Sequence, residues 1–217
     1  EIKRCDWSSD VCSSDLVRLG ASEPDWVDEV LESLSLREKV AQMVMPWIPG
    51  GYQANNAEAR RARRLVEVEK VGGLIVGRGD GLGTARWLDD LQRRADVPLL
   101  VAADLEWGAG TRLLGATELP VNMAIAATGE MDYVHEAGRL TAREARAAGI
   151  HMAFAPVADV NINAANPVIN TRSYGGDPID VAERVASFVE GAEEAGLLTA
   201  AKHFPGHGDT ESDSHLE

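Results

Sequence analysis

Val97-Pro98-Leu99-Leu100-Val101-Ala102-Ala103-Asp104 is apolar throughout and ends in a charge. A run without polar alternation reads as a strand covered on both faces, which belongs in a parallel sheet rather than a half-solvated antiparallel one. The same pattern recurs outward in both directions. Upstream, Gly72-Gly73-Leu74-Ile75-Val76-Gly77 is a second buried strand, and Val40 to Trp47 reads as another, ended by Pro46, Pro49 and Gly50-Gly51. Downstream, His151 to Val160 and Leu197 to Phe204 read as two more. Helical spacing fills the intervals: Asn55 to Val71, Thr84 to Arg94 with Trp87, Leu88 and Leu91 inward, Glu130 to Ala148 stopped by Gly149, and a last helix capped by Asp177-Pro178 and running to Ala195. Ahead of the first strand, Trp26, Val27, Val30, Leu31 and Leu34 fall at helical spacing, and Ser35-Leu36-Arg37-Glu38 is a capping-box signature opening a second short helix. The order is βαβαβ…αβαβ, which predicts an α/β fold with five parallel strands.

Two architectures share that order, the doubly wound open sheet and the (β/α)8 barrel. Pro49-Gly50-Gly51-Tyr52 lacks the G-x-G-x-x-G spacing of a dinucleotide-binding turn. Several strands instead end in ionisable side chains, at Asp104, Asp159 and Lys202-His203, as on the C-terminal rim of a barrel. Such barrels run to about 250 residues. The expectation is therefore a truncated (β/α)8 TIM-type barrel with about five of eight strands, occupying residues 21–217.

Glu1 to Leu16 holds both cysteines, Cys5 and Cys12, and has neither helical nor strand periodicity. Arg4-Cys5-Asp6-Trp7-Ser8-Ser9-Asp10-Val11-Cys12-Ser13-Ser14-Asp15-Leu16 resembles translated sequencing-adapter DNA, so residues 1–20 are set apart as a non-native or disordered segment. The rest has no cysteine, hence no disulfide and no evidence on redox compartment; localisation stays open. No run of 18 apolar residues predicts a membrane-spanning helix. A formal net charge of -14 argues against nucleic acid or an anionic membrane as partner and favours a neutral ligand. The cluster Arg60-Arg61-Ala62-Arg63-Arg64 reads as a solvated helix face.

Three of the five histidines crowd into residues 201–217, with Lys202 and several carboxylates. His203, His207, Asp209, Asp213 and His215 include ligand types suited to zinc. Yet Pro205 and Gly206 preclude the helix that would put His203 and His207 on one face, so neither metal nor cofactor is called for. Acid–base work fits better. Asp213 and His215 lie two apart, so an extended backbone sends both to the same side, where the carboxylate would orient and charge the imidazole as a proton donor.

Lys202-His203-Phe204-Pro205-Gly206-His207-Gly208-Asp209-Thr210 followed by Asp213-Ser214-His215 resembles the signature of bacterial β-N-acetylhexosaminidases of glycoside hydrolase family 3. The likeness extends upstream through Ser35 to Val40, Gly72 to Ile75, Asp104-x-Glu106, Phe154 to Asn161 and Asn166 to Tyr174. The resemblance implies that His215 is the general acid/base with Asp213 as its partner. It also implies that Asp104, Arg112, Arg172, Lys202 and His203 bind the terminal N-acetylglucosamine of a small carbohydrate substrate, such as a peptidoglycan fragment or chito-oligosaccharide. The implied mechanism is retaining, through a glycosyl-aspartate, with the nucleophilic aspartate on a later strand beyond Glu217, so that the 217 residues alone would be inactive. Adjacent Lys202 and His203 would face opposite ways in a regular strand, so a distorted backbone is predicted there. Trp107 and Gly108 stand where the family often has Gly-Gly, which alters the contour beside the sugar. Alternatives are a phosphorylase of the same family, a metal-dependent barrel hydrolase and a noncatalytic sugar-binding protein.

Overall fold

The computed structural model describes residues 24–213; residues 1–20 and His215 lie outside the described residues. The strands are β1 (Trp47–Ile48), β2 (Gly73–Val76), β3 (Gly79–Asp80), β4 (Leu100–Ala103), β5 (Leu113–Leu114), β6 (Met152–Ala153) and β7 (Leu198–Thr199). The helices are α1 (Pro24–Ser33), α2 (Leu36–Ala41), α3 (Ala57–Glu67), α4 (Gly81–Gln92), α5 (Asn122–Ala126), α6 (Met131–Ala147) and α7 (Pro178–Glu194). Five strands pair side by side in the order β1-β2-β4-β6-β7, every pair parallel, with Ile75 opposite Ala102, Ala103 opposite Ala153 and Met152 opposite Leu198. Sequential neighbours joined through helices give the arc of a barrel wall. Its two edges expose apolar side chains, Trp47 at 54% and Leu198 at 42%.

The helices form where their caps and apolar faces dictate. Ser35 and Glu38 make the reciprocal capping box, Ser35 N–H donating to Glu38 at 2.8 Å and Glu38 N–H to the Ser35 hydroxyl at 3.3 Å. Asp177 accepts from the N–H groups of Ile179 and Asp180, and Pro178 occupies the first helical position, where its missing N–H costs nothing. Trp87, Leu88 and Leu91 of α4 are buried, as their spacing predicts. Helices α6 and α7 meet at two glycines. A Cβ on Gly138 would lie 2.2 Å from the Phe188 carbonyl oxygen, and one on Gly191 would lie 2.1 Å from that of His135, so only glycine permits this approach. No helix among the described residues is long and apolar enough to cross a membrane.

Three local expectations differ from the structure. Val40 to Trp47 is not a strand: Val40 and Ala41 end α2, the N–H groups of Met43 and Val44 close back on their carbonyls, and only Trp47–Ile48 joins the sheet. Between them Pro46 has no N–H to offer a ladder. The run His151 to Val160 is regular strand only at Met152–Ala153; beyond it the Ala155 and Pro156 carbonyls still accept from Ala200 and Lys202, but Pro156 has no N–H to give and the pairing thins to a bridge between Val157 and Lys202. In the basic cluster of α3, Arg63 is not simply solvated, since it pairs with Asp90 at 3.2 Å and covers the Trp87 ring at 5.3 Å. The two-residue pairing of β3 with β5, and helix α5, carry too few residues for a periodic signal.

Candidate active site

The ionisable groups gather at one end of the sheet because parallel strands all deliver their following residues to the same rim. Asp104 follows β4 directly, and Lys202 and His203 follow β7. Asp159 follows the chain that leaves β6, and Arg172 closes a 3-10 turn (Asn170–Arg172) farther along the same connection. Arg112 follows a similar turn, Ala109–Thr111.

At the centre, the Lys202 ammonium donates to Asp104 Oδ1 at 2.8 Å and lies 2.6 Å from Glu106 Oε1. Asp104 Oδ2 also receives an Arg112 N–H at 3.2 Å. Arg172 grips Glu106 with both faces of its fork, Nε to Oε2 at 2.9 Å and Nη2 to Oε1 at 2.8 Å. Burial alone would raise the carboxyl of Asp104, but the ammonium of Lys202 and then the guanidinium of Arg112 carry it below the usual carboxylate range. Glu106 behaves likewise: burial opposes ionisation, and Arg172 with Lys202 overcomes it. The hydrogen-bonded carboxylate of Glu106 in turn raises Arg172 above its ordinary value. Asp104, Glu106, Trp107, Thr111, Arg112 and Arg172 line a cleft of about 220 Å³, small beside the pockets that take drug-sized ligands.

The predicted departure from regular strand backbone is present, since the Lys202–His203 peptide is cis. Lys202 reaches Asp104 and Glu106, whereas the His203 ring lies 2.6 Å through Nδ1 from Asp159, whose side chain is fully buried. Asp159 also accepts the backbone N–H groups of His203 at 3.2 Å and His207 at 2.6 Å. The loop beyond is tied down by Asn166, buried and donating to the His207 carbonyl at 2.6 Å while its own oxygen takes the N–H groups of Val168 and Ile169. Gly208 lies against the Val160 backbone so closely that a Cβ would stand 1.8 Å from the Val160 oxygen. Thr210 hydrogen-bonds the His207 ring.

Of the predicted site residues, Asp104, Arg112, Arg172 and Lys202 converge on one connected ion-pair network. His203 stands beside them in the carboxylate pair with Asp159. Asp213 is partly buried at the end of the loop, and its pairing with His215 falls outside the described residues. Two residues given no site role from sequence hold the others in place: Glu106 pairs with Arg172 and Lys202, and Asp159 takes the His203 ring and two backbone N–H groups. The signal was there: Glu106 is two residues past Asp104, hence on the same side of an extended chain, and Asp159 ends an apolar run just as Asp104 does.

The chain matches the glycosyl hydrolase family 3 N-terminal domain over residues 35–217. It belongs to glycosyl hydrolase family 3. This family 3 chain is 45% identical over 146 residues to a beta-N-acetylglucosaminidase/beta-glucosidase of Cellulomonas fimi, covering 67% of the chain and 26% of that enzyme. Among solved structures it resembles a glycoside hydrolase family 3 beta-N-acetylglucosaminidase from Paenibacillus sp. str. FPU-7, with TM-score 0.77 and 42% identity over 84% of the chain and 35% of that protein. It also resembles a beta-glucoside phosphorylase bound to 2FGlc, with TM-score 0.79 and 27% identity over 88% of the chain and 34% of that protein. The family 3 chain thus spans about a quarter to a third of these relatives, and its sheet is part of their TIM-type barrel.

Proposed function

We propose that the protein carrying this chain is a retaining β-N-acetylhexosaminidase that removes terminal β-linked N-acetylglucosamine from peptidoglycan fragments or chito-oligosaccharides. The observation that carries this reading is the convergence of Asp104, Arg112 and Arg172 on one small cleft at the strand ends, with Lys202 paired to the Asp104 and Glu106 carboxylates that line it. An ionised carboxylate accepts from sugar hydroxyls, and fixed cationic donors take the remaining oxygens through charge-assisted hydrogen bonds. Contacts from three separate segments hold a ring still relative to the reacting bond, which is where the rate gain of positioning comes from. The relatives named as acetylglucosaminidases support the choice of sugar.

In this mechanism His215, oriented by Asp213, protonates the leaving oxygen and later takes a proton from the attacking water. A retaining enzyme also needs a carboxylate nucleophile about 5–5.5 Å from the acid, across the scissile bond. That group is assigned to sequence beyond Glu217, and none of Asp104, Glu106 or Asp159 fits the task, because each is committed to cations or backbone donors. The test is hydrolysis of a chromogenic N-acetyl-β-glucosaminide by the full-length protein and by residues 1–217 alone. The first is expected to turn over and the second to be silent; turnover by the shorter chain would overturn the nucleophile assignment.

A second reading is phosphorolysis, favoured by the likeness to the beta-glucoside phosphorylase and by three cations, two of them lining the cleft, paired with two carboxylates. Assays with and without inorganic phosphate, scoring sugar 1-phosphate, separate the two.

A further inference from the structure

We propose that Glu106 is a positioning residue, a shared counter-ion that sets Arg172 in the cleft and holds Lys202 beside it; this role rests on the sugar-cleaving reading above. Its two oxygens already accept from Arg172 Nε, Arg172 Nη2 and the Lys202 ammonium, at 2.9, 2.8 and 2.6 Å. The side chain is 9% exposed, against 37% for Asp104, so Glu106 has little acceptor capacity to turn toward a hydroxyl while Asp104 keeps an open face.

Three distant segments meet at this one carboxylate. Glu106 sits on a tight turn after β4, bridged to Gly108 and next to the fully buried Leu105, with Leu119 N–H donating to the Trp107 carbonyl at 3.0 Å. Arg172 arrives from the turn after β6, where its Nη1 donates to the Val168 carbonyl at 3.1 Å and its own carbonyl accepts from Asn122 at 2.7 Å. Lys202 arrives from β7. Both cations are largely withdrawn from water, so without the charge of Glu106 between them they repel each other. Lys202 would then turn wholly onto Asp104, occupying the oxygen that a sugar hydroxyl needs. The lowered titration of Glu106 agrees with a permanent charge at this point.

The experiment is a double-mutant cycle in the full-length protein, reading kcat/KM on an aryl N-acetyl-β-glucosaminide with thermal midpoints as a folding control. Glu106→Gln is expected to lower kcat/KM roughly tenfold to a hundredfold, the range for losing a hydrogen bond to a charged group. In an Arg172→Gln background the same change is expected to cost several-fold less than in wild type, because one of its two targets is already gone and only Lys202 remains to be held. Glu106→Asp keeps the charge on a shorter arm and is expected to recover part of the loss, which keeps the idea testable should Glu106→Gln fold poorly. Unchanged kcat/KM in Glu106→Gln, equal losses in both backgrounds, or no recovery by Asp overturns the positioning role alone. A wild-type protein inactive on β-glycosides overturns the glycosidase reading and this role with it.

Discussion

His151 and His203 stand at opposite ends of neighbouring parallel strands, one leading into β6 and the other following β7, and the two ends have made different residues of them. His151 accepts the Val101 N–H through Nδ1 at 3.1 Å. Burial, reinforced by the charge of Arg146, pushes its pKa down to about 4, so it is a neutral acceptor at neutral pH. His203 instead meets the buried carboxylate of Asp159 at 2.6 Å, a pairing that fixes the ring at the rim. The side chain is the same; the end of the strand decides whether it meets a backbone N–H in the core or a carboxylate at the rim. In barrels of this type the C-terminal ends carry the chemistry and the N-terminal ends carry stability.

That division is broken most directly at the rim. Replacing Lys202 by Met in the full-length protein should lower kcat/KM by about 10²- to 10³-fold, the scale for losing one preorganised charge donor. Its thermal midpoint should move little, because Asp104 keeps Arg112 and Glu106 keeps Arg172. A large loss of stability with activity preserved would erase the distinction between the two ends.

The opposite end is sharpened by acid. The unfolded imidazole binds a proton near 6.5 and the folded one only near 4, so between those values the unfolded state binds more protons. The contribution of His151 is therefore complete above pH 6.5 and is lost as the pH falls through that window, on the order of 2–3 kcal/mol. Urea unfolding at pH 7 and pH 4 should show that loss in wild type and a smaller one in His151→Asn, which keeps an acceptor but cannot titrate. Equal pH dependence in both would remove His151 from the account.

The smallest effect belongs to neither end. Ser35→Ala removes the hydroxyl of the α2 capping box and should cost about 1 kcal/mol of unfolding free energy, with catalysis unchanged.

Much of this was legible beforehand. The apolar runs ending in Asp104 and Lys202-His203, the inward face of α4 and the caps at Ser35 and Asp177 are local signals that act within a few residues, so they survive without the rest of the molecule. The tension between Lys202 and His203 was legible too, since two adjacent side chains needed at one site cannot both come from regular strand. What failed was strand extent. Apolar composition marked Val40 to Trp47 and His151 to Val160, but Pro46 and Pro156 withhold the N–H groups that a ladder needs.

By itself the sequence determined which residues could be buried, where helices begin, that the strands run parallel, and that charge collects where strands end. Each follows from side-chain spacing and from the hydrogen-bonding limits of proline, serine and aspartate. Only the tertiary structure decided which carboxylate faces which cation. Glu106 and Arg172 are 66 residues apart and Asp104 and Lys202 are 98 apart, and those partners are set by strand register and loop path across the sheet. Charge is not directional along the chain: every carboxylate on the rim could attract every cation, and distance alone selects among them.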